Sequence, residues 1–277
     1  MSRIPDYLAI PPEALGRGQP VRVCVVGDAA AVAHGMADAM LAAFRAKPDA
    51  TVIVPVGPVD QFPILAEMVN AERLSLRAAV VVNMDEYLTD EGAWLPTGHP
   101  LSFRGFMARQ FYDRLDPALA PPPEHRVFPD PHDPAAVGRL IARRGGADAC
   151  FGGVGINGHV AFNEPPEPGA ALTVEQFAAL PARVLDLARE TRTINAVTVG
   201  GDIAAIPRRC VTVGMREILA ARALRFYCNR PWHAGVVRRL LHGPVTPACP
   251  ASLLRTHADA ELAVADYVAA APVVGLR

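Results

Sequence analysis

With 277 residues the chain can bury a sizeable core, as one large α/β domain or two small ones. Its 27 basic and 28 acidic side chains nearly cancel, leaving a formal net charge of −1 and no broad electrostatic case for nucleic acid or an anionic membrane. Hydrophobic residues make up 51%, swollen by alanine, yet no apolar run approaches the roughly 20 residues that span a bilayer.

The opening "MSRIPDYLAIPPEALGRGQP" carries no apolar signal-peptide core. Five cysteines (Cys24, Cys150, Cys210, Cys228, Cys249) are scattered without CxxC spacing, and an odd number suits a disulfide framework poorly. Together these features lead us to expect a cytoplasmic protein.

In chain order, "VRVCVV" (21–26) reads as a strand, and Asp28 as the cap of an alanine-rich helix through Phe44. "TVIVPV" (51–56) is the next strand, followed by a helical pattern from about Phe62 to Leu74. "AAVVVN" (78–83) is apolar on both faces, as a buried parallel strand is. Residues 103–115 read as a helix, and a second begins at Asp133 as cap with Pro134 in its first position. "ADACFGGV" (147–154) is a strand, and further strand candidates are 209–214, 223–228 and 261–266. Cys24, Cys150 and Cys228 fall inside such strands, where a thiol serves as a small buried hydrophobe. The Pro-rich stretches 117–125 and 163–171 bring no change of composition around them, so they read as loops, and there is no internal repeat. Strands alternating with helices imply a single α/β domain over 1–277, with a mostly parallel sheet covered by helices on both faces.

In such a sheet ligands gather beyond the C-terminal ends of the strands. Two polar clusters fall there. Strand 78–83 runs into Asn83, Asp85, Glu86 and Tyr87, and strand 147–154 runs through a glycine turn into Asn157, His159 and Glu164. A carboxylate and a His–Glu pair are parts for proton transfer. The bland alternative is solvated punctuation after a strand. No helix follows the glycine segment directly, so it does not read as a dinucleotide fingerprint, and without GK[ST] it is not a P-loop.

"NMDEY" (83–87), "HPLSF" (99–103) and "NGHVAFNEP" (157–165) resemble, in order and spacing, the signature segments of the glucosamine-6-phosphate deaminase (isomerase) family. "TRTIN" (191–195) and "RLLHG" (239–243) extend a weaker similarity, so the resemblance covers about 50–250. The sister 6-phosphogluconolactonases share the glycine turn and the His but typically lack "FNEP" and "NMDEY". What the resemblance implies is a Rossmann-like fold and an aldose–ketose isomerisation with loss of ammonia, using neither metal nor redox cofactor. It makes Asp85 the base that moves a proton between carbons 2 and 1, and His159 the group that opens the sugar ring. Glu164 and Asn157 become the supports of His159. Gly57, Gly155, Gly158, His233, Arg192 and Glu86 complete the expected sugar-binding set, although Glu86, next to Asp85, is expected to point elsewhere and serve structurally. The expected partner is a small amino sugar or sugar phosphate, and a homo-oligomer is open, since the family includes hexamers and monomers.

The sequence departs from the family where the phosphate is held. A Thr-Gly-Gly-type turn is replaced by "PVGPVDQFP" (55–63), with one glycine, no hydroxyl, an acidic Asp60, and Pro58, which lacks an N–H. The family's Arg falls on Val197 and its Lys on His233. Hydrogen bonds to charged groups contribute roughly 1.5–3 kcal/mol each, so losing two cations weakens phosphate binding by roughly 3–6 kcal/mol. Either Arg104, Arg192 or Arg230 compensates, or the substrate is not a 6-phosphate. Glucosamine 6-phosphate is the default substrate, with an unphosphorylated amino sugar next. Two alternatives remain: a lactonase-type hydrolase, and a sugar-binding regulatory protein without catalysis, which would have no need of a base over carbon 2.

Overall fold

Seven parallel strands form the main sheet of this computed structural model, whose described residues are 4–57, 60–167, 169–170 and 172–275. The strands, in chain order, are β1 (Arg22–Val26), β2 (Thr51–Val54), β3 (Val80–Asn83), β4 (Asp85–Leu88), β5 (Arg126–Val127), β6 (Ala149–Gly152), β7 (Arg183–Asp186), β8 (Arg209–Thr212), β9 (Leu224–Cys228) and β10 (Ala260–Ala265). The main sheet runs β1-β10-β9-β6-β2-β3-β5, each neighbouring pair parallel. Its central strands β2, β3 and β6 are buried along their whole length, which is why they read as unbroken apolar runs.

Asp28 caps the helix Ala29–Ala46 by accepting from the N–H of Ala31 at 2.9 Å. Val32, Met36, Met40 and Phe44 then present one buried stripe to the sheet. The helix Ala135–Arg143 differs from expectation at its start. Asp133 makes no side-chain cap there, its carboxylate pairing instead with Arg139. The 103–115 segment is helical only over Phe103–Gln110 and tightens into a 3₁₀ turn at Tyr112–Arg114. All five cysteines are free, and Cys150 and Cys228 are fully buried.

The sequence shows nothing of a second sheet, β4-β8-β7, which is antiparallel. "RCVTVG" is a strand as read, but it pairs with β4 and β7, outside the parallel sheet. The acidic "DEYL" is likewise a strand, all four of its residues buried. Tyr87 sits in a small apolar cluster with Leu95, Phe162, Leu187 and Ile206, while the ring of Phe103 packs on both this cluster and the main core. Since β4 follows β3 after a single residue, Asp85 stands where the two sheets meet.

Candidate active site

The C-terminal ends of β2, β3, β6 and β9, neighbours in the sheet, open into a cavity of about 340 Å³, the size of a small-molecule site. Asp85 and His159 both line it. Pro55, Val56 and Gly57 follow β2, Gly153 to Gly155 follow β6, and Asn229, Arg230, Trp232 and His233 follow β9.

Asp85 is 7% exposed, and no hydrogen bond holds its carboxyl among the described residues. Burial, with the neighbouring Glu86 charge adding to it, pushes its pKa up to about 8. The cavity thus holds a carboxyl with a pKa of about 8, within reach of a ligand.

His159 is oriented from behind. Its Nδ1 lies 2.8 Å from Asn157 Oδ1, 3.1 Å from Thr191 Oγ1 and 3.4 Å from Glu164 Oε2. The Asn157 amide can face only one way: its Nδ2 donates to Glu164 Oε2 at 2.8 Å, and its Oδ1 also accepts the His159 backbone N–H at 3.1 Å. With Oδ1 an acceptor, Nδ1 carries the proton in the neutral ring, and Nε2, which has no partner among the described residues, keeps its lone pair. Burial alone would raise the Glu164 carboxyl, but its bonds to His159, Asn157 and Thr191 outweigh burial and hold it below the ordinary glutamate value. Glu164 is therefore a charged group behind the His159 ring.

The glycine-rich turn has steric causes. A Cβ on Gly155 would fall about 2 Å from the His159 ring, so the ring folds back over that residue because it is glycine. Gly158 has φ +91, a left-handed conformation, and a Cβ there would lie 2.7 Å from Cys249 Sγ. Gly155 and Gly57 line the cavity and Gly158 does not. Ala161, at φ 51, is a left-handed alanine on the cavity wall.

Besides Gly158, two further members of the expected sugar-binding set lie off the lining. Glu86, one residue along β4 from Asp85, points to the opposite face of the strand. Its carboxylate accepts the N–H groups of Tyr87, Phe103 and Arg104 at 2.8–2.9 Å and the Ser102 hydroxyl at 3.0 Å, which ties down the start of the helix Phe103–Gln110. Glu86 does not line the cavity. Arg192 is turned away because a helical residue points about 100° from its neighbour, and that neighbour, Thr191, faces His159. Its guanidinium donates to the carbonyls of Ile203 and Ile206 beside a separate cavity of Asp90, Asp186, Arg208 and Arg209. Arg104 is stacked on Trp94.

His233 does line the cavity, but both its ring nitrogens are spent. Nδ1 accepts the Arg230 N–H at 2.8 Å and Nε2 donates to the Val154 carbonyl at 2.9 Å. Burial lowers its pKa to about 4, so the ring is a neutral brace between two loops. Val56 and Val197 are on the lining, and Pro58 lies outside the described residues. Sequence reasoning missed Thr191, Phe103, Asn229 and Trp232. Thr191 and Phe103 had a signal, as the first residue of "TRTIN" and the last of "HPLSF". Among the described residues no cluster of His, Cys, Asp or Glu is arranged to hold a metal ion, and no helix is long and apolar enough to cross a membrane.

Such an arrangement, a desolvated carboxyl and a braced imidazole over one cavity beyond a parallel sheet, suits proton transfer on a small polar ligand. No family model matches the chain. It is 32% identical over 257 residues to the glucosamine-6-phosphate deaminase of Cellvibrio japonicus, covering 90% of each chain. To that of Streptomyces avermitilis it is 30% identical over 259 residues, 90% of this chain and 92% of the relative. It superposes on a monomeric glucosamine-6-phosphate deaminase of the NagB superfamily with a TM-score of 0.76 at 26% identity, over 90% of this chain and 99% of the other. The 6-phosphogluconolactonase of Trypanosoma brucei shares the fold, with a TM-score of 0.64 at 16% identity over 91% and 98% of the two chains. The chain belongs to the glucosamine-6-phosphate deaminase family.

Proposed function

We propose that the protein is an amino-sugar deaminase that turns a 2-amino aldose into the matching ketose with release of ammonia. Asp85 and His159 on one cavity, with His159 braced through Nδ1, are the observation that carries this reading. Nε2 of His159 shuttles the ring-hydroxyl proton as the sugar opens, and the Glu164 charge supports the imidazolium. Asp85 then removes the carbon-2 proton and returns it at carbon 1. The resulting ketimine takes up one water and yields ketose and ammonia, so the sum is amino sugar plus water giving ketose plus ammonia.

An empty-site pKa of about 8 leaves Asp85 largely protonated at neutral pH. The substrate ammonium, entering beside it, favours the carboxylate and brings the base into its working form. Substrate binding and base activation are thereby coupled.

The test is ammonia release from amino sugars by the parent protein and by Asp85→Asn. The reading requires release by the parent and loss of it in the variant. Hydrolysis of a sugar lactone without ammonia release would favour a lactonase, and binding without turnover a regulatory sugar-binding protein.

A further inference from the structure

Arg230 is the one Lys or Arg among the described residues that line the cavity. Its guanidinium is exposed and makes no hydrogen bond or ion pair among the described residues. The ionised form of Asp85 cancels its charge. His159 is already paired with Glu164, and His233 is locked neutral. The rest of the wall is largely apolar or aromatic, with Val56, Val154, Val197, Phe162, Ile194 and Trp232, and of its polar side chains Asn195 already donates to the Tyr87 hydroxyl and Thr198 to the Asn195 carbonyl.

The backbone beyond β9 adds the N–H of Trp232, which has no partner among the described residues. The helix His233–His242 starts at the cavity, where an anion would ordinarily find free N–H groups. Here the N–H of Arg230 is taken by the His233 ring, those of His233 and Ala234 by the carbonyls of Arg230 and Pro231, and Pro231 has none. Gly155 N–H goes to the His159 carbonyl, and Pro55 and Pro58 carry no N–H by their chemistry. Asn229, beside Arg230 on the lining, has its buried Oδ1 without a partner among the described residues. That atom accepts, so it suits a ligand hydroxyl.

We propose that the ligand of this cavity is an amino sugar without a phosphoryl group, its hydroxyls met by Asn229 and its C–H surface by Trp232 and the valines. The proposal rests on the deaminase reading above and narrows its substrate class. The relatives' names carry a 6-phosphate, whereas among the described residues the lining offers Arg230 as its one Lys or Arg.

The test is calorimetric binding of glucosamine and of glucosamine 6-phosphate to the full chain at matched ionic strength, with ammonia release followed in parallel. We expect glucosamine to bind at least about tenfold more tightly, and inorganic phosphate to give no thermal protection. Tighter binding of the phosphosugar, or no binding of glucosamine, overturns the proposal. Preferred binding of glucosamine without ammonia release sustains it and sinks the deaminase reading instead, so the two failures are distinguishable. Val197 is 74% exposed at the cavity mouth, so Val197→Arg tolerates the change. Beside Arg230 it should shift the ratio of the two affinities toward the phosphosugar by about tenfold or more. An unchanged ratio would mean that a phosphate is already held by other groups, and would overturn the proposal.

Discussion

Asn157 grips His159 at two points, its Oδ1 2.8 Å from the ring Nδ1 and 3.1 Å from the backbone nitrogen, while its amide nitrogen holds Glu164 at 2.8 Å. One side chain thus sets both the ring tautomer and the position of the carboxylate behind it. Asn157→Leu removes the acceptor and leaves the His159 tautomer unspecified. Residues that orient a functional imidazole typically contribute 10–100-fold, and a fall in kcat of roughly that size with little change in KM is expected. Steady-state kinetics check it, and a KM that rises with kcat unchanged would contradict it.

His159→Gln should slow turnover of the cyclic sugar far more than that of an open-chain analogue, since only the former needs a proton moved at the ring oxygen. General acid–base groups contribute roughly 10²–10⁴-fold, which sets the expected scale for the cyclic substrate. Equal losses on both substrates would leave His159 as a positioning residue only.

Asp85 also costs stability, in a definite pH window. Folded, it keeps its proton up to about pH 8, whereas the unfolded chain releases it near 3.8. Between these values the folded state binds more protons, so stability falls as pH rises. Asp85→Asn should therefore melt higher than the parent at pH 8.5 and close to it at pH 4. Melting curves at the two pH values decide it, and a difference independent of pH would contradict the burial of Asp85.

Glu86→Gln weakens the anchor of the helix Phe103–Gln110 and removes the charge that helps to raise Asp85. We expect a loss of stability on the order of 1–3 kcal/mol. We also expect the Asp85-dependent limb of the rate profile to move to lower pH. Denaturant unfolding and a pH–rate profile measure the two effects separately.

His233→Lys should destabilise the fold instead of restoring a cation, because lysine cannot accept the Arg230 N–H and would bury a charge. In the parent, the folded imidazole has a pKa of about 4 against about 6.5 when unfolded. Its contribution is therefore complete above about pH 6.5 and is lost as pH falls toward 4. Acid unfolding of parent and His233→Gln compares the two.

The parallel sheet was legible because β2, β3 and β6 are buried on both faces and carry unbroken β-branched or apolar runs. Asp85 and His159 were legible because polar residues after such strands are conspicuous. The antiparallel sheet was hidden. β4 opens with two carboxylates, β7 is half-buried, and nothing in "RCVTVG" tells parallel from antiparallel pairing, which partners distant in sequence decide. Trp232 lines the cavity from a segment with no polar pattern of its own, and nearness in sequence does not tell Thr191 from Arg192, because helix phase decides which of the two faces His159.

The central claim is that Asp85 moves the carbon-2 proton, and the measurement closest to it is solvent-deuterium incorporation followed by NMR during turnover in heavy water. The account predicts that the parent exchanges deuterium into the hydrogen carried between carbons 2 and 1, while folded Asp85→Asn still binds sugar and shows no exchange. Exchange by Asp85→Asn at the parental rate would contradict it.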